Sequence, residues 1–156
     1  MPLASDRFRV NAPLEAVAVF HRDPRALRLL SPPPVFVQIQ RVEALAEGSQ
    51  SEFTLWFGPI PLHWLAVHSQ VDFASGFTDS QARGPMASWT HRHAWRALPD
   101  GSTEMQERIE YSHRSGPAGW LTQILFAPPM MRILFQHRRA VIRRACKRSK
   151  VQTENS

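Results

Sequence analysis

Apolar and polar positions alternate with period two through much of the first 112 residues, and turn-forming residues interrupt the alternation. Residues 3–10 end in rough alternation and predict an opening strand. Asn11-Ala12-Pro13 follows: Asn11 is placed to cap a helix, Pro13 suits a first helical turn, and Leu14 to Phe20 continues it. Asp23-Pro24 restarts a second short helix carrying Ala26, Leu27, Leu29 and Leu30, and Ser31-Pro32-Pro33-Pro34 stops it in an extended connector. Strand patterns then dominate. Val35, Val37 and Ile39 alternate with Phe36, Gln38 and Gln40, and Glu47-Gly48-Ser49 predicts a hairpin turn. Phe53, Leu55 and Phe57 alternate with Thr54 and Trp56. Across 61–72, Leu62, Trp64 and Ala66 face opposite His63, Leu65 and Val67. Ala74-Ser75-Gly76 turns the chain into a short strand at 77–82. A long strand at 86–97 meets the turn Pro99-Asp100-Gly101-Ser102. Residues 103–112 return with Met105, Glu107, Ile109 and Tyr111 on one face.

Beyond residue 112 the period changes. Trp120, Leu121, Ile124 and Leu125 predict helix, and Pro128-Pro129 interrupts or kinks it. Met130, Met131, Leu134, Phe135, Arg138, Val141, Ile142 and Ala145 then recur at three-and-four spacing, an amphipathic stripe opposite a face of arginines. One strand, two short helices, about six strands and a long helix predict an α+β fold. In it, a curved antiparallel sheet wraps around the C-terminal helix. A single domain over 1–150 is expected, with 151–156 as a flexible tail.

Composition narrows this picture. The chain has 156 residues, 43% of them hydrophobic, enough for one domain with a substantial core. Cys146 is the only cysteine, which excludes an internal disulfide and a cysteine-rich metal site. This fits a reducing compartment, and the cytoplasm is the expected location. No secretory apolar segment or membrane-length run is present. The formal net charge of +6 is unevenly spread: residues 132–156 carry eight Lys/Arg against Glu154, and the remainder is nearly balanced. That basic end reads first as a solvated helix face. An approach to anionic lipid is the next reading, and nucleic acid is disfavoured because no recognition motif accompanies the charge. Cys146 lies in this basic surrounding, which would favour its thiolate.

The most unusual stretch is Gly84-Pro85-Met86-Ala87-Ser88-Trp89-Thr90-His91-Arg92-His93-Ala94-Trp95. A glycine-proline turn leads into a strand whose one face carries two imidazoles between two indoles. Taken with Val10-Asn11-Ala12-Pro13-Leu14-Glu15-Ala16-Val17, with Asp23 to Pro32, and with Phe77-Thr78-Asp79-Ser80-Gln81, it resembles the START-like (SRPBCC) superfamily of helix-grip domains. It is most similar there to the bacterial ligand-binding branch named with polyketide cyclases and dehydrases. The resemblance covers roughly residues 3–148. It implies a deep apolar cavity between the sheet and the C-terminal helix. It also implies a guest such as a lipid, sterol, polyketide, quinone or plant hormone, or occasionally cyclisation or dehydration. The superfamily has no universal catalytic residues, so it assigns no chemistry here.

The expected cavity wall comprises Trp64, Trp89, His91, His93, Trp95, Met105, Trp120, Met131 and Phe135. Trp120, Leu121 and Phe126 are placed to form a gate. The competing arrangement puts the Trp/His face of the 86–97 strand outside and turns Ser88, Thr90, Arg92 and Ala94 inward. For acid–base chemistry the candidates are His91 and His93, with Glu107 or Tyr111 opposing. A metal would need His91, His93 and a third ligand from His68, His113 or Glu107. No dense ligand motif supports that, and no metal or other cofactor is expected. Binding, sequestration or transport of a small hydrophobic or amphipathic molecule is favoured over catalysis. The alternatives are a cyclase or dehydratase acting on a polyketide-like substrate, and a nonenzymatic interaction module. Oligomeric state is open.

Overall fold

The computed structural model describes residues 2–154, with side chains described as far as Lys147. Seven strands form one antiparallel sheet: β1 (Leu3–Val10), β2 (Phe36–Val42), β3 (Gln50–Phe57), β4 (Ile60–Asp72), β5 (Gly76–Arg83), β6 (Ser88–Ala97) and β7 (Thr103–Ser112). Their order is β1-β7-β6-β5-β4-β3-β2, a meander from β2 to β7 closed by β1 on β7. Helices α1 (Leu14–Arg22) and α2 (Ala26–Leu29) follow β1, and α3 (Pro117–Leu125) and α4 (Pro128–Glu154) complete the chain. This is the helix-grip arrangement, with the sheet curved partly around the C-terminal helices.

The period-two pattern decides which face is covered. Along β6, Trp89, His91, His93 and Trp95 are buried; along β7, Thr103, Met105, Glu107, Ile109 and Tyr111 are. The Trp/His face of β6 therefore turns inward. Gln81 holds the β5–β6 connection: its amide nitrogen donates to the Met86 carbonyl, and its oxygen accepts from the Met86 N–H, both at 3.0 Å. A Cβ at Gly84 would lie 2.3 Å from Gln81 Oε1, so a larger residue there would push the Gln81 side chain off Met86.

The α4 helix is tied across the sheet by its arginines. Arg139 pairs with Asp6 on β1, and Arg143 donates to the Arg9 carbonyl. Ile142 and Cys146 are buried at the α1 end, beside Val17 and Ala18. The basic end is thus only partly a solvated face. Arg138 is buried, Arg132, Arg144 and Lys147 are exposed, and the side chains of Arg148 and Lys150 lie outside the described residues. Burial also pushes the Cys146 thiol up to about 12, so the expected favoured thiolate is not formed.

Two further expectations change. Pro13, rather than Asn11, occupies the N-cap of α1, and no side chain caps it. The backbone of residues 151–154 continues α4 instead of forming a tail, while 155 and 156 lie outside the described residues. Among the described residues, no helix is long and apolar enough to cross a membrane.

Candidate functional site

Buried apolar side chains form two clusters, and a polar layer separates them. On β6 the inward row reads Trp89, His91, His93, Trp95; on β7 it reads Ile109, Glu107, Met105; on α4 it reads Phe135, Arg138, Ile142. In each row the first residue belongs to one apolar cluster and the last to the other. β5 contributes Asp79, the register partner of His91.

Two carboxylates flank the two imidazoles. Asp79 Oδ2 lies 2.6 Å from His93 Nε2 and 3.9 Å from His91 Nδ1. Glu107 Oε1 lies 3.4 Å from His93 Nδ1 and 3.7 Å from His91 Nε2. Arg138 clamps Glu107 from the far side, donating from Nε to both carboxylate oxygens at 2.9 Å and from Nη2 to Oε1. The imidazole rings are 3.8 Å apart, and Phe77 stacks on His93 at 4.3 Å. Every one of these groups is therefore positioned by packing or by a charged partner.

Burial and pairing set the charges. Burial works to raise the Glu107 carboxyl, but the Arg138 guanidinium and the His93 bond outweigh it and hold the carboxyl well below its ordinary range. Asp79 follows the same balance: burial opposes ionisation, yet the His93 bond and the neighbouring histidines bring it to about 2. Burial works to lower His93, and its bonds to Asp79 and Glu107 raise it overall. His91 is pushed well below its ordinary value by burial and by the charge on His93. These directions favour Asp79 and Glu107 as anions, Arg138 as a cation, a proton on His93 and a neutral His91, a set with no net charge. Such internal neutrality is what a desolvated cluster needs.

His21 adds a further nitrogen. It hydrogen-bonds the Val17 carbonyl through Nδ1 at 2.8 Å, and burial together with the His93 charge pushes its pKa down to about 3. The ring is neutral with Nδ1 protonated, so Nε2 is a bare acceptor. Both His21 Nε2 and His91 Nε2 are buried without a hydrogen-bond partner.

His21, Asp79, His91, His93 and Arg138 border a cavity of about 250 Å³. Phe53, Leu55, Phe57, Trp64, Trp89 and Phe126 make its apolar walls. Its rim includes exposed Arg22, Pro24, Glu43 and Met130, so it opens between the α1–α2 segment, the end of β2 and the start of α4.

Of the residues expected from sequence, Trp64, Trp89, His91, His93 and Met131 line this space. Trp95, Met105 and Phe135 are packed in the apolar clusters outside its wall. Trp120 is 66% exposed and does not close the cavity. Its expected gate partners Leu121 and Phe126 both belong to or pack against the second cluster. Glu107 is fully buried behind the histidines, and Tyr111 packs against Trp89. His68 lines the cavity and bonds to Ser49, His113 bonds to Thr122, and neither belongs to the close group of ligand atoms around His91 and His93. The residues missed are His21, Asp79 and Arg138. Their signals were present: Asp79 stands two residues from Phe77 on an alternating strand, Arg138 interrupts an apolar helical stripe, and His21 lies one turn after Val17.

No family model and no curated protein matches the chain. Solved structures do. CV1439 from Chromobacterium violaceum aligns with a TM-score of 0.72 at 13% identity, covering 94% of this chain and 98% of that one. A START superfamily protein from Mycobacterium smegmatis aligns at 0.66 and 13%, covering 94% and 97%. The Zhui aromatase/cyclase from Streptomyces sp. R1128 aligns at 0.66 and 16%, covering 93% and 90%. At these identities the likeness shows a shared helix-grip fold.

Proposed function

On this START-like helix-grip scaffold, we propose that the protein binds a small amphipathic molecule in its cavity, for sequestration or transport. One observation carries the reading: His21 borders an apolar space, and its buried Nε2 has no hydrogen-bond partner within the protein. An unpaired buried acceptor costs about 1–3 kcal/mol. A guest hydroxyl donating to His21 Nε2 removes that cost while its hydrocarbon body covers Phe53, Trp64 and Phe126. The volume lies just below the usual pocket range of about 300–1,000 Å³, which suits a one- or two-ring molecule or a short chain. Helix-grip neighbours include an aromatase/cyclase. Here the charged groups are already committed to one another, and that supports holding a guest over turning it over.

Fluorescence titration with 2-naphthol, an apolar double ring bearing one hydroxyl, tests this. Wild type is expected to bind it saturably. Ser51→Leu, which adds bulk to the wall contributed by β3, should weaken binding at least about tenfold while leaving the thermal melt intact. Equal binding by a well-folded Ser51→Leu variant would count against the cavity as the site.

A further inference from the structure

We propose that Asp79, His91 and His93 form a site for a divalent transition-metal ion such as zinc, with one coordination position open to the cavity. One ligand atom from each residue falls within 4.8 Å of the others. On the Asp79 side these atoms are Asp79 Oδ2, His93 Nε2 and His91 Nδ1, with Oδ2 at 2.6 and 3.9 Å from the two nitrogens. Tetrahedral zinc holds its ligands at about 2.0–2.1 Å, which sets neighbouring ligand atoms about 3.4 Å apart. The two observed separations bracket that spacing, so modest side-chain adjustment would bring the three ligand atoms around one ion.

The second set of ring nitrogens strengthens the assignment. Both imidazoles turn their other nitrogen toward Glu107 Oε1, at 3.4 and 3.7 Å. Metal-bound histidines characteristically donate that second N–H to a carboxylate, which fixes the ring and its tautomer. Glu107 is placed for this role toward both rings, and Arg138 fixes Glu107 in turn. Binding the ion displaces the proton that His93 otherwise holds between Asp79 and Glu107, so the two carboxylates then face the ion and the Arg138 guanidinium. Asp79, His91 and His93 all border the cavity, so a water or a guest oxygen completes the shell. Three protein ligands with a free position are the pattern of reactive zinc sites, not structural ones. The third ligand comes from a neighbouring strand, which is why no compact sequence motif announces it.

Metal uptake needs only these side chains, so it stands or falls separately from 2-naphthol binding. The full chain, stripped with a chelator, is titrated calorimetrically with Zn²⁺ and spectroscopically with Co²⁺. The expected result is one Zn²⁺ per chain at micromolar affinity or tighter, and visible Co²⁺ bands of tetrahedral intensity. Loss of an outer-shell partner typically costs about 10–100-fold in affinity, so Asp79→Asn or His91→Phe should cost at least about 100-fold. Wild-type binding no tighter than that of His91→Phe overturns the proposal, and so does a Co²⁺ spectrum that neither variant changes. Should a variant fail to fold, X-ray absorption on the wild-type Co²⁺ form decides. Two imidazoles in the shell support the site, and one or none overturns it.

Discussion

Replacing Arg138 with methionine should cost about 3–5 kcal/mol of folding stability, the range for breaking a buried ion pair from one side. The structure places this case there. Glu107 has no exposed surface, and Arg138 supplies its charge-assisted bonds to both carboxylate oxygens. For a chain of this length the loss corresponds to a melting shift on the order of 10 °C. Glu107→Met should be comparably damaging, since it leaves the guanidinium unpaired. The double variant Arg138→Met/Glu107→Met should recover most of the loss. Asp79 and His93 still balance each other, and apolar groups of similar volume can replace a buried pair at little cost. The pH dependence has a definite sign. In wild type the Glu107 carboxyl lies well below its ordinary 4.5, so its contribution is full above that value and is lost as pH falls beneath it. Without Arg138, burial moves the carboxyl upward against the remaining His93 bond, so the variant gains less stability than wild type as pH rises past 4.5. The gap between wild type and Arg138→Met should therefore be widest near neutral pH and narrow toward about pH 4.5. Urea unfolding followed by tryptophan fluorescence at both pH values measures it. A single-variant loss under about 1 kcal/mol, a double variant no better than the singles, or a gap independent of pH would refute the reasoning.

Gly76→Ala should destabilise the protein by about 3 kcal/mol or more, because Gly76 has φ 134° and a Cβ would stand 1.9 Å from the His93 carbonyl oxygen; a thermal melt within a few degrees of wild type contradicts this. Cys146 should resist a thiol-specific chromophoric reagent at about pH 8 until urea unfolds the chain, given its burial and a thiol pushed up to about 12. Rapid labelling of the native protein would show that the α1–α4 contact opens freely. Gln81→Ala should lose about 1–3 kcal/mol in urea unfolding, since it leaves the buried Met86 connection without its side-chain bridge; an unchanged midpoint would mean that the turn holds itself.

The sheet was legible because its alternation is nearly unbroken. Trp89, His91, His93 and Trp95 can share only one face of a strand, and their bulk places that face inside. The single C-terminal helix resolves into α3 and α4 at Pro128, as the proline pair suggested. What sequence did not supply is pairing across strands. Asp79 meets the histidines because β5 and β6 set Asp79 opposite His91, and that register depends on the turns at 72–76 and 84–87. Likewise, Arg138 stands out in sequence as a charge within an apolar helical stripe, but its partner does not. Only the crossing of α4 over β7 carries it to Glu107, a partner far away in sequence. Trp120 misled for the opposite reason: its size suggested burial, yet α3 turns it outward.

The cavity account is tested most directly by nitrogen-15 spectra of the histidine rings during titration with 2-naphthol, with naphthalene as the comparator lacking a hydroxyl. The account predicts a saturable shift of the His21 Nε2 resonance with 2-naphthol alone, and proton contacts from the naphthyl ring to Phe53 and Trp64. A bound naphthyl ring that touches neither side chain, with His21 Nε2 unmoved, would contradict it.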